Sequence, residues 1–122
     1  MPAEPTGDGG AAETAALQFL QQAGLRVLAR NARSRHGELD LVMDDAGTTV
    51  FVEVRLRRHS RFGGALASVD RHKCRRLVLA AGTWLAAHPA RANRPCRFDV
   101  VTLAQTDHTP DWLRDAFRAD DC

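Results

Sequence analysis

Gly37-Glu38-Leu39-Asp40-Leu41-Val42 and Phe51-Val52-Glu53-Val54-Arg55 decide how this chain is read. Both segments are apolar and interrupted by charged residues at alternate positions. On a strand, alternate positions share a face. Between them lies Asp44-Asp45-Ala46-Gly47-Thr48, a turn-forming stretch. A two-residue turn at Ala46-Gly47 pairs Asp45 with Thr48. The same register then sets Asp40 opposite Glu53, and Glu38 opposite Arg55. Like charges that face each other across strands repel. Two carboxylates placed that way suit a hard divalent cation between them. Acids on the wet face of a hairpin are common, so either segment alone reads as surface decoration. The shared register is what singles out the pair.

Working outward, the order of elements follows from periodicity. Residues 11–23 place Ala16, Leu17, Phe19, Leu20 and Ala23 at helical spacing, and Gly24 ends that helix. Residues 25–30 read as a strand with Leu25, Val27 and Ala29 on one face. Residues 31–37 read as a basic connection. Strands follow at 38–43 and 49–56, then a basic loop at 57–64 with Gly63-Gly64. Residues 66–87 are helical, with Val69, Leu77, Val78, Ala81, Trp84 and Leu85 as the inner stripe. A strand at 97–103 comes next. A short terminal helix at 110–118 places Trp112, Leu113, Ala116 and Phe117 as its apolar contacts. The expected order is α-β-β-β-α-β-α, an α/β domain with a small central mixed sheet flanked by helices.

At 122 residues the chain is long enough for one core. Residues 1–10 read as a flexible tail and residues 11–122 as a single domain. No stretch approaches the roughly 18 apolar residues that span a bilayer. The start has neither the basic nor the apolar segment of a secretory signal. No membrane association and a cytoplasmic location are expected. Cys74, Cys96 and Cys122 are scattered and odd in number, which argues against a disulfide framework and a zinc site.

The net charge of +2 conceals an asymmetry. Arg55, Arg57, Arg58, Arg61, Arg71, Lys73, Arg75 and Arg76 cluster in one stretch, with Asp70 as its one acid. A basic strip beside acids that hold metal suits a polyanion, so nucleic acid is the expected partner. Lys73, the chain's one lysine, reads equally as a phosphate contact or as part of a solvated helix face. No Ser/His/Asp or Cys/His arrangement stands out. Gly7-Asp8-Gly9-Gly10 lacks the following Lys-Ser/Thr of a phosphate loop, which argues against nucleotide hydrolysis. The chemistry that fits is metal-assisted phosphodiester hydrolysis. It needs carboxylates for Mg²⁺ or Mn²⁺, a cation for charge on the phosphate and a surface for the strand.

Asp40-(x)n-Glu53-x-Arg55 across adjacent strands resembles the PD-(D/E)xK nuclease superfamily, the restriction-endonuclease-like fold. The strings AETAALQFL, RNARSRHGELDLV, TTVFVEVRLRR, FGG, SVDRHK and CRFDVV resemble the YraN-like family of small bacterial proteins. The resemblance spans roughly residues 11–103 and implies kinship in fold with archaeal Holliday junction resolvases. It implies that Asp40, Glu53 and Glu13 hold the metal and that Arg55 stands where a lysine is usual. Catalytic roles are therefore expected for Asp40, Glu53, Arg55 and Glu13. Glu38 is either an accessory acid or a partner of Arg55. Nucleic-acid contacts are expected from Arg57, Arg58, Arg61, Arg71, Lys73 and Arg76. Arginine stays charged, so Arg55 can hold a phosphate but cannot act as a base. The expected function is a Mg²⁺- or Mn²⁺-dependent endonuclease of DNA, with branched or structured DNA among the candidate substrates. The alternative is a non-catalytic nucleic-acid-binding module that keeps the nuclease fold. Junction cutting would call for a homodimer, since two strands are cut symmetrically.

Overall fold

The computed structural model describes residues 7–57 and 70–122. Its elements are α1 (Gly7–Gln22), β1 (Arg26–Ser34), β2 (Gly37–Asp45), β3 (Thr48–Arg57), α2 (Arg71–Ala87), β4 (Cys96–Ala104) and β5 (Pro110–Phe117). The strands form one sheet in the order β1-β2-β3-β4-β5. Neighbours are antiparallel except β3 and β4, which run parallel. A parallel pair needs a long crossover, and α2 lies in it. The result is a mixed α/β architecture, a five-stranded sheet flanked by two helices, compatible with a restriction-endonuclease-like fold.

Each helix covers its own part of the core. Ala12, Ala16 and Leu20 of α1 recur every four residues and are buried with Leu41, Met43, Val50, Val52, Val101 and Leu103. Cys74, Leu77, Ala80, Ala81 and Trp84 of α2 pack on Leu39, Val42, Phe51, Phe98 and Phe117. Gly24, at φ +101°, ends α1 in a Schellman motif. The Leu25 amide donates to the Leu20 carbonyl and the Gly24 amide to the Gln21 carbonyl. The β2–β3 turn is Ala46-Gly47, with Asp45 paired to Thr48. Both turn residues have positive φ, as the tight turn of a twisted hairpin requires.

The structure differs from the sequence expectations at five places. Helix α1 begins at Gly7, inside the stretch read as a tail. Strand β1 continues to Ser34, through most of what reads as a basic connection. Helix α2 begins at Arg71, with the Asp70 carboxylate capping the Lys73 amide at 2.8 Å. Residues 1–6 and 58–69, which include the expected Arg58, Arg61 and Val69, lie outside the described residues. The terminal helix expected at 110–118 is strand β5. Asp99, almost wholly buried on β4, explains the change. Its carboxylate takes the Trp112 indole N–H at 2.9 Å and the Asp115 amide at 2.9 Å, besides Arg97. A chain laid alongside β4 supplies those donors to a carboxylate that burial would otherwise penalise. Finally, Cys74 and Cys122 form a disulfide, their Cα atoms 5.7 Å apart, although their spacing argued against one. Strand β5 and the turn after it bring the chain's end to α2.

Candidate functional site

The two acid-bearing strands pair as far as Leu41 and Val52, where the ladder stops. Asp40 is the next residue of β2. Its carboxylate accepts the Val54 amide of β3 at 2.9 Å, a side chain in the place of a backbone partner. At the same point β2 changes face. Leu39 packs beneath α2 and Leu41 beneath α1, although residues two apart on a regular strand share a face. Strand β1 shows a matching irregularity. Ala29 and Ala32, three apart, both pack toward α2. Between them stands Asn31 in a left-handed conformation, φ +54°. Asn31 lies between the pairs Arg30–Leu41 and Ala32–Leu39, across the ladder from Asp40.

These irregularities gather the acids. Carboxylate oxygens of Glu13, Glu38 and Asp40 lie within 4.8 Å of one another. Glu13 comes from α1, the other two from β2. The Asn31 Nδ2 donates to Glu13 Oε1 at 2.8 Å and to Glu38 Oε1 at 2.9 Å. Arg33 flanks Glu38 at 3.3 Å. Arg30 donates to the Thr14 hydroxyl at 2.7 Å, beside Glu13. Burial pushes the Glu13 carboxyl above its ordinary range, and the Asn31 hydrogen bond works against that rise.

Glu53, 5% exposed, adjoins Asp40. Its Oε2 is buried without a hydrogen bond, though Lys73 Nζ of α2 approaches it at 3.3 Å as an ion pair. Burial and the facing Glu53 push the Asp40 carboxyl up to about 8, while the Val54 amide and Lys73 oppose the rise. Four carboxylates thus meet in a cluster and its extension, with Asp40 common to both. Hard oxygen donors at this spacing fit Mg²⁺ or Mn²⁺. The buried Glu53 Oε2 adds a further oxygen beside that set.

The sequence-predicted residues are distributed as follows. Glu13, Glu38, Asp40 and Glu53 come together. Arg55 is half-buried on β3, two residues beyond Glu53 and beside Thr102 of β4. Lys73 belongs to the acid centre through Glu53, where sequence reading offered only a phosphate contact or a solvated face. Arg76 lines a small cleft with His36, Glu38 and Lys73. Arg71 is exposed at the first turn of α2. Arg57 lies 3.9 Å from Asp111 of β5 and its side chain is 22% exposed, so part of its charge is answered within the fold. Glu38 is held by Asn31 and Arg33, and the ladder ends before it and Arg55 would face each other. Asn31 is the residue sequence reading missed. Its one signal was the tolerance of asparagine for left-handed backbone.

Residues 12–103 match the family model described as "Uncharacterised protein family UPF0102". A UPF0102 protein of Xanthomonas axonopodis pv. citri is 58% identical over 122 residues, covering 100% of both chains. One of Xanthomonas campestris pv. campestris is 59% identical over the same 122 residues and 100% coverage. One of Pseudomonas putida is 57% identical over 121 residues, covering 96% of this chain and 98% of that protein. The matched span runs from α1 through β4 and includes every acid gathered around Asp40, so the chain that holds this centre belongs to the UPF0102 family.

Proposed function

We propose that this UPF0102 protein is a Mg²⁺- or Mn²⁺-dependent endonuclease that hydrolyses phosphodiester bonds in DNA, with branched or structured DNA among the candidate substrates. The observation that carries the proposal is the convergence of Glu13, Glu38 and Asp40 within 4.8 Å, with Glu53 adjoining Asp40. A set of like charges so close is costly to a fold without a counter-ion. On this reading Asp40-(x)n-Glu53-x-Arg55 is the signature of the PD-(D/E)xK superfamily, carried on adjacent strands. A bound cation would polarise the phosphoryl oxygen and lower the pKa of an attacking water.

The remaining roles fall to the chain's own residues. Glu13, Asp40 and Glu53 hold the ion, with Glu38 completing the oxygen set. Arg55 holds the scissile phosphate and answers the charge that develops on it. Lys73 stands beside Glu53 as a second cation of the centre. Arg71 and Arg76, both exposed on α2, contact flanking phosphates. One observation favours the second reading, a binding module without turnover. Arg55 cannot give up its proton at the position where a lysine is usual.

The test is incubation of the full chain with labelled four-way-junction, flap, single-stranded and duplex DNA. Mn²⁺, Mg²⁺ or EDTA is supplied, and Asp40→Ala is run alongside. Metal-dependent cutting that the variant lacks supports the nuclease. Retardation without cutting under either metal, unchanged or strengthened in the variant, supports the binding module.

A further inference from the structure

We propose that Asn31 is a positioning residue that presets Glu13 and Glu38 for the cation, an inference that rests on the metal-centre reading above. Both hydrogens of its amide are committed, one to each acid, at 2.8 and 2.9 Å. The amide therefore stands between two carboxylates from different elements, α1 and β2. It holds them close without adding charge. Left alone, Glu13 and Glu38 would repel each other and Asp40 and swing apart, and a cation would have to reassemble them. A neutral double donor prevents that at a position where a cationic side chain would compete with the ion.

The backbone supports this reading independently of the hydrogen bonds. Asn31 adopts φ +54°, a conformation non-glycine residues avoid and asparagine tolerates best. It does so inside a strand, across the ladder from Asp40, where β1 interrupts its alternation between Ala29 and Ala32. The turned backbone carries the amide to the side of the sheet on which α1 presents Glu13. Lys73 and Arg33 cannot do the same work. Lys73 ion-pairs with Glu53, and Arg33 pairs with Glu38 through Oε2, the oxygen Asn31 does not contact.

Two measurements on the full chain test the proposal. Mn²⁺ binding is followed by electron paramagnetic resonance for the wild type, Asn31→Gly and Asn31→Ala. Glycine keeps the left-handed backbone at no steric cost, so its effect reports the lost amide. The expected result is an affinity about 10-fold weaker in Asn31→Gly with an unchanged circular dichroism spectrum, the scale seen when a partner behind a metal ligand is removed. Separately, the Asn31 side-chain ¹⁵N–¹H₂ resonances of the wild type shift on addition of Mg²⁺. A wild type that binds Mn²⁺ no better than a folded Asn31→Gly overturns the proposal. So do amide resonances that stay still as Mg²⁺ saturates. A fall in thermal stability with unchanged affinity would make Asn31 only a tie between α1 and β1. A wild type that binds neither ion removes the metal centre itself, and that failure appears before any variant is compared.

Discussion

Asp40 receives a backbone amide, faces a second carboxyl and lies largely out of water, and these three facts set its behaviour with pH. Its native pKa, pushed up to about 8, stands above the ordinary value of 3.8 that it recovers on unfolding. Between those values the native state binds more protons than the unfolded state, so its contribution to stability falls as pH rises through the window. Urea midpoints in EDTA should therefore decline from pH 5 to pH 8 more steeply in the wild type than in Asp40→Asn. The same proton must leave before a cation can bind. Calorimetry of Mn²⁺ binding at pH 7, in buffers of different ionisation enthalpy, should show release of about one proton. That release should fade by pH 9, and Asp40→Asn should bind no Mn²⁺ and cut nothing. At this scale the sequence singled out Glu38, Asp40, Glu53 and Arg55 by the alternation of charge and the two-residue turn, but not the break at Asp40 that brings the acids together. Asn31 could not, because its role depends on a backbone conformation that no spacing records. The place of Lys73 was equally hidden, since it depends on how α2 docks against the sheet.

Asp44 and Asp99 show how charged residues shape whole elements. Asp44 is buried at the β2 end of the hairpin and takes Arg91 at 2.7 Å and Arg26 at 3.2 Å. The Arg91 guanidinium, which also reaches Thr49, holds the Asp44 carboxyl below the usual carboxylate range. That interaction is fully present above the unfolded pKa near 4 and is lost as pH falls through the lower native value. Arg91→Ala should cost about 2 kcal/mol at pH 7 by urea unfolding, since Arg26 still answers the Asp44 charge. The gap from wild type should narrow below pH 4. On β5, Trp112→Phe keeps the ring and removes the indole donor to Asp99, at an expected cost of about 2 kcal/mol. Strand β5 also shows why helix and strand were confused. Trp112, Leu113, Ala116 and Phe117 fall at helical spacing because Asp115, at φ +53°, interrupts the alternation of a true strand. The register against β4 shifts between Phe98 and Val100 to match. A strand with an irregularity carries a helix-like pattern, and only its neighbour β4 resolves the difference.

For the molecule as a whole, the Cys74–Cys122 bond joins residues 48 apart, tying the end of the chain to the helix that carries Lys73. Closing a loop of that length should be worth about 4 kcal/mol on chain entropy, so Cys122→Ser should lower the urea midpoint of the oxidised protein accordingly. Thiol labelling of the unreduced, denatured chain should find Cys96 alone. Cysteine pairing was illegible because connectivity depends on which elements fold back, not on spacing. The order of the first six elements was legible, since each carries a clean period or a clear stop. The outermost strand β1 has a further consequence for behaviour at high concentration. One of its sides has no partner strand within the described sheet, and Val27 and Leu28 are 41% and 37% exposed there. An edge with unpaired backbone groups and exposed apolar side chains invites another copy to add itself as a sixth strand. The register slip between Val27 and Ala29, the left-handed Asn31 and the spaced charges of Arg26, Arg30 and Arg33 all spoil the template. The irregularity that gathers the acids should thus also disfavour fibril growth along this edge, an expectation that thioflavin-T assays at high concentration check.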